Sequence, residues 1–262
     1  MEINLQKKRA LISGSTQGIG RAIARDFAAA GAEVILFARN EDALKKTLAD
    51  LPANHQQNHQ FLIADFSKPE QVAHAIKEFI FINNPIHIIV NNTGGPSPGL
   101  AIEADIQDYR IAFNQHLINN QIILQALLPT MKEAGYGRII NIISTSVKTP
   151  IPGLGVSNTI RGAVASWAKT ISNELGPFGI TVNNILPGLT KTNRLASLIE
   201  KKAKDAGISV GQMENQMKST IPIKRFAEVE EISALACFLA SPLASYITGT
   251  SIRADGGNTP SI

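Results

Sequence analysis

The sequence has one cysteine, Cys237, among 262 residues, so no disulfide can form within the chain. That residue lies in the apolar run 235–239 and reads as a buried structural thiol rather than a nucleophile. Long apolar runs are missing too. No stretch approaches the roughly 18 residues needed to cross a bilayer, which argues against a membrane helix. Residues 1–9 carry charge but no apolar core or cleavage site follows, so no secretory leader and a cytoplasmic location are expected. There is no internal repeat, low-complexity tract or linker, and a single domain over residues 1–262 is expected. The net charge is +4 and the pI about 9.2, yet the basic residues are dispersed. The nearest thing to a basic run, Lys201, Lys202 and Lys204, reads as a solvated helix face. Neither a nucleic-acid partner nor a metal site is expected.

What is present is alternation. Short apolar runs at 9–13, 33–38, 60–64, 86–90, 138–143, 180–186 and 250–253 are separated by longer amphipathic stretches. Several runs are continuous Val, Ile and Leu without polar interruption, the pattern of parallel strands buried on both faces. Helices are predicted over 18–30, 41–50, 69–82, 105–134, 157–175 and 229–240. Gly31, Gly135 and Gly176 suit helix ends, and Ser67 to Glu70 has the form of a capping box. This strand–helix repetition predicts an α/β fold, a Rossmann-like doubly wound seven-stranded parallel sheet with helices on both faces. The stretch 191–224 lacks a strand and reads as an insert, either a lid over a site or a surface helical excursion.

After the first strand come Gly14, Gly18 and Gly20, followed directly by a helix. Glycines allow a tight turn and close approach of the backbone to a pyrophosphate, and helix N-terminal amides bind the anion. Gly14, Ser15, Thr16, Gly18, Ile19 and Gly20 are therefore cofactor candidates. The second strand ends at Ala38, where a site selecting NAD would carry a carboxylate, and Arg39 follows. A guanidinium pairs with a 2′-phosphate through two parallel hydrogen bonds, so NADP(H) is favoured, with NAD(H) possible.

The spacing of the glycines resembles that of the short-chain dehydrogenase/reductase family, and further marks appear in the same order. Asp65 and Phe66 follow the third strand. Asn91-Asn92-Thr93-Gly94 is close to the family's N-N-A-G. Pro187, Gly188, Thr190 and Thr192 resemble its P-G-x-x-x-T segment, and Asp255-Gly256-Gly257 its closing D-G-G. The resemblance covers residues from about 5 to 258 and is nearest to 3-oxoacyl-carrier-protein reductases. It implies cofactor contacts at Asp65, Phe66, Asn92, Thr93, Gly94, Pro187, Gly188, Thr190 and Thr192. It further implies a small-molecule carbonyl or alcohol substrate and assembly as a homodimer or homotetramer.

One departure from the family stands out. The resemblance implies a serine at Ser144, then Tyr-x-x-x-Lys, with an asparagine on the preceding helix. The tyrosine position falls on Ser157 and the lysine position on Arg161. The asparagine position falls on His116, or on Asn114 if the register shifts by two. No other tyrosine restores the pattern, since Tyr109, Tyr136 and Tyr246 precede Phe113, Ile140 and Thr250 by four residues. Arginine is a poor proton donor and serine a far weaker acid than a phenol. The catalytic candidates are Ser144, Ser157, Arg161 and His116; Arg161 is also a cofactor candidate, placed to grip the nicotinamide ribose, and His116 reads slightly better as a histidine hydrogen-bonded between helices. The expected activity is hydride transfer between a ketone and a secondary alcohol. A catalytically impaired dinucleotide-binding sensor or partner subunit is the alternative.

Overall fold

The computed structural model describes residues 3–82 and 85–261; Met1 and Glu2 of the N-terminal run lie outside them. Seven strands form one parallel sheet in the order β3-β2-β1-β4-β5-β6-β7. They are β1 (Arg9–Ser13), β2 (Glu33–Ala38), β3 (Gln60–Ile63), β4 (Ile88–Asn91), β5 (Gly137–Ile142), β6 (Ile180–Pro187) and β7 (Ser251–Ala254). Every residue of β1, β4 and β5 is buried, as expected of strands covered on both faces. One face packs on α1 (Gly18–Ala29), α2 (Glu41–Ala49) and α9 (Val229–Ala240), with Phe27, Leu36, Leu44 and Ile232 fully buried. The other face carries α3 (Pro69–Ile82), α5 (Asn119–Ala134) and α6 (Gly155–Leu175), packed around Phe37, Ile76, Ile123 and Val182.

Side-chain amides link the C-terminal half of the sheet. Asn91, Asn141, Asn184 and Ser251 are aligned by strand register. Asn91 Nδ2 donates to Asn141 Oδ1 at 2.8 Å, Asn141 Nδ2 to Asn184 Oδ1 at 2.9 Å, and Asn184 Nδ2 to Ser251 Oγ at 3.0 Å. Polar groups this deep are tolerated because each bonds the next.

Three expectations are refined. The predicted helix 105–134 is α4 (Ile106–Phe113), a π-helical turn at Asn114–Ile118, and α5. The Asn119 N–H reaches the Asn114 carbonyl, which inserts one residue into the helical register. Gly176 caps α6 as expected, but with φ −52°, and Gly179, with φ 71°, makes the left-handed reversal after a short 3₁₀ turn that contains Pro177. The insert 191–224 contains two further helices, α7 (Asn193–Ala206) and α8 (Val210–Ser219), over a small core of Leu195, Ile199, Ile221 and Phe226. Cys237 is buried and its thiol is pushed up to about 12, first by burial, which leaves it unreactive.

The amide ladder is expected to be worth more at its centre than at its edge. Asn141→Ala leaves a donor on Asn91 and an acceptor on Asn184 unpaired and should lower unfolding free energy by about 2–4 kcal/mol. Urea unfolding checks this; a loss no larger than that of Ser251→Ala would contradict it.

Candidate active site

At the C-terminal ends of the strands a cleft of about 2100 Å³ opens beside the point where strand order reverses between β1 and β4. Open α/β sheets bind ligands at such points. The turn after β1 forms its floor. Gly14 has φ 60°, and a Cβ there would stand 2.4 Å from the Asn92 carbonyl oxygen; one on Gly20 would stand 2.2 Å from the Gly14 oxygen. Asn92 Nδ2 donates to the carbonyls of Ser13 and Gly14 at 3.3 and 3.1 Å. On the other side, the Gly14 N–H bonds the Phe37 carbonyl at 2.8 Å, and Ser15 Oγ accepts the Phe37 N–H at 3.0 Å. The backbone is thus tied to both neighbouring strands. Gln17 precedes α1 without a side-chain cap, and the first turn of α1 carries no acid, so its free amides face the cleft.

The end of β2 forms one flank. Arg39 is exposed and lines the cleft, and it is followed by Asn40, whose Oδ1 caps α2 through the Ala43 N–H at 2.9 Å. Asp65 and Phe66 line the same flank. The Ser67 backbone N–H donates to the Asp65 carboxylate at 2.9 Å and holds its pKa below the usual range. Phe66 packs edge-on against Phe37, with ring centroids 4.9 Å apart.

The opposite flank is built by α6, the loop after β5 and the loop after β4. Ser144, Ser157 and Arg161 all line the cleft. Ser144 Oγ accepts the Ser146 N–H at 3.1 Å. Arg161 is buried and donates from Nη1 to the Ile142 carbonyl at 3.1 Å. Burial, reinforced by Arg194, pushes its guanidinium down to about 10, which still leaves it charged at neutral pH. His116 sits on the π-helical turn, 3% exposed and behind Thr93 rather than on the cleft wall. Its Nδ1 lies 2.6 Å from Thr93 Oγ1, and Thr93 does line the cleft. Burial first, then the charges of Arg161 and Arg194, hold the ring well below the ordinary histidine value. The Gly94 backbone opposes that shift, yet no atom meets Nε2 at hydrogen-bonding distance.

Pro187, Gly188, Thr190 and Thr192 follow β6 along the rim. Thr192 caps α7 by accepting the Leu195 N–H at 3.3 Å, and its Cγ2 would lie 3.2 Å from a Cβ on Gly18. The insert therefore closes over the glycine turn. Gly94 has open space around it, and a Cβ there would meet no atom within 4 Å. The loops 95–100 and 147–155, expected as walls, are tied together by Gly99 N–H to Gly153 O at 2.8 Å and Gly155 N–H to Gly99 O at 3.0 Å.

Of the candidate residues, Ser15, Gly20 and His116 are the ones that do not reach the cleft surface. Ser15 and Gly20 instead shape the turn, and His116 supports Thr93. Sequence reasoning missed Arg194, which enters from the start of α7; only its place two residues after Thr192 hinted at it. The Thr93–His116 bond was equally invisible, because the π-helical turn that creates it leaves the apolar pattern unbroken.

His116 and His87 should make the fold acid-sensitive. Burial holds His87 down to about 4 and His116 lower than its usual range, while unfolded histidines protonate near 6.5. Their contribution is complete above about pH 6.5 and is lost as pH falls, because the unfolded chain then binds more protons. Urea midpoints should fall between pH 7 and 5, and less steeply in His116→Gln. An equal slope in the variant would contradict this.

Known proteins share this geometry and sequence. The chain matches the enoyl-(acyl carrier protein) reductase family over residues 14–259. It is 33% identical to the NADPH-dependent reductase BacG of Bacillus subtilis (strain 168), over 98% of this chain and 100% of that protein. It is 31% identical to the 3-oxoacyl-[acyl-carrier-protein] reductase FabG of Aquifex aeolicus (strain VF5), over 98% and 99%. Among solved structures, L-sorbose reductase from Gluconobacter frateurii complexed with NADPH and L-sorbose superposes with a TM-score of 0.94 at 29% identity, covering 100% of both chains. The chain belongs to the short-chain dehydrogenase/reductase family of oxidoreductases.

Proposed function

We propose that the protein is an NADP(H)-dependent oxidoreductase that interconverts a ketone and a secondary alcohol. The observation that carries this reading is the glycine turn, whose uncapped helix amides face the cleft while Arg39, and no carboxylate, closes β2. These groups fit a dinucleotide: free amides suit a pyrophosphate, and an exposed guanidinium suits a 2′-phosphate. Two of the relatives support it: BacG and the sorbose reductase are each described with NADPH.

When bound, the reduced cofactor supplies a hydride, so that a carbonyl, NADPH and one proton become an alcohol and NADP⁺. The rest of the chemistry falls to the chain. Ser144 donates a hydrogen bond to the substrate oxygen, and the Arg161 guanidinium stabilises the negative charge that develops there. Ser157 stands at the place of the family's tyrosine and Arg161 at that of its lysine. Neither is a strong acid at neutral pH, so the proton comes from cleft water through the Ser157 hydroxyl. His116 is neutral and buried; it acts by holding the Thr93 hydroxyl. Without a phenol the proton step loses up to about 10²–10⁴-fold in rate. The helices of the insert 191–224 form a lid over the bound cofactor.

A second reading is favoured by one feature: no tyrosine lines the cleft among the described residues. A cofactor-binding sensor or partner subunit would look the same. NADPH fluorescence and absorbance, followed together with β-ketoacyl thioesters, ketoses and diketones, separate the two. Substrate-dependent loss of NADPH supports the reductase; binding without loss across the panel supports the sensor; no binding defeats both. Arg39→Ala should weaken NADPH about 10–100-fold, or about 1.4–2.7 kcal/mol, and leave NADH nearly unchanged. Arg161→Met should lower kcat/KM about 10²-fold by steady-state kinetics.

A further inference from the structure

Two cations converge on the reacting end of the cleft with nothing to balance them. Arg161 reaches it from α6, buried, with one hydrogen bond to the Ile142 carbonyl at 3.1 Å. Arg194 reaches it from the opposite wall, at the start of α7. Its Nη2 donates to the Pro96 carbonyl at 3.2 Å, and its guanidinium lies across Gly95, where a Cβ would stand 2.4 Å from Nη1. Only glycine at position 95 leaves that place to the guanidinium. Each group has five N–H donors, so most are left unmatched by protein. Among the described residues neither arginine has a carboxylate within 4 Å. Elsewhere Arg21 pairs with Asp50 at 2.7 Å and Arg225 with Glu231 at 2.6 Å, while the buried Arg138 donates to the main-chain carbonyls of Ser241, Gly137 and Gly179. Arg161 is buried while Arg194 is exposed to the cleft, and an anion between them would offset the charge that burial makes costly at Arg161. A ligand can bring it.

Two ligands carry anions: the cofactor through its phosphates and the substrate through its own groups. The phosphates already have partners in the glycine turn, the first turn of α1 and Arg39. Arg194 lies instead against Gly95, and Arg161 follows Ser157 by one turn of α6, at the end of the cleft where the carbonyl would react. We propose that Arg161 and Arg194 form an anion-binding pair that receives a carboxylate of the substrate, making the substrate an oxo acid or the corresponding hydroxy acid. This rests on the reading of the cleft as a reductase site. Arg194, exposed to the cleft, sets substrate specificity, and Arg161 serves both the carboxylate and the reacting oxygen.

The test is binding, so that it does not depend on turnover. The protein is titrated calorimetrically with pyruvate, acetoacetate and levulinate, each against its methyl ester, with and without NADP⁺. At least one acid should bind tenfold or more tightly than its ester, with the preference shrinking as salt rises. Arg194→Gln should abolish that preference and Arg194→Lys should restore part of it. Equal binding of acids and esters, or binding of neither, overturns the proposal. So does an Arg194→Gln variant that weakens NADPH while keeping the acid preference, because the anion is then the cofactor's phosphate. An acid preference without any NADPH oxidation leaves the anion site standing and removes the reductase reading.

Discussion

The structure depends on a close approach of backbone to backbone at the point where the strand order reverses, between β1 and β4. Gly14 and Gly20 lie so near Asn92 and each other that a single methyl group on either would collide with main chain or with the Asn92 amide. That contact joins the turn after β1 to the end of β4. The amide ladder from Asn91 through Asn141 and Asn184 to Ser251 then carries the same constraint across the remaining strands. A cleft held this firmly presents its helix amides and the wall that carries Ser144, Ser157 and Arg161 in fixed relation. Electrostatic catalysis requires such preorganised geometry.

The catalytic wall is unusual in its charge. A buried guanidinium and a second arginine line one end of the cleft, with the His116 imidazole behind Thr93, and no carboxylate among the described residues pairs with either arginine. An active site of the family's ordinary kind needs an acid that can give up a proton near neutral pH. Here the strongest permanent groups can only attract negative charge. Stabilisation of an alkoxide and recognition of an anionic substrate both suit them, and the proposed mechanism assigns proton donation to hydroxyls and water.

Much of the fold was legible in the residues because parallel strands write themselves as unbroken apolar runs. The limits of β1 and β2 coincide with their runs, and the others shift by at most two residues. Gly14 and Gly20 were legible because a Cβ on either would collide with neighbouring main chain, and Gly18 because it completes the same turn at φ 52°. What escaped was set by tertiary geometry. The π-helical turn at Asn114–Ile118 changes hydrogen-bond register without changing composition, so a single long helix fitted the pattern equally well. Gly176 does end α6, but the short turn containing Pro177 that carries the reversal on to Gly179 was not legible. Arg194 lies in a segment with no strand and mixed composition, and its meaning comes only from Gly95 and Arg161 across the cleft.

The central claim is that this charged wall still supports hydride transfer. It is tested most directly by a single turnover with NADPH deuterated at the transferable C4 position, enzyme in excess over an oxo acid or ketone. The account predicts deuterium on the carbinol carbon of the product and a slower reaction than with unlabelled NADPH. Tight binding of the labelled cofactor with no deuterium in any product would contradict it.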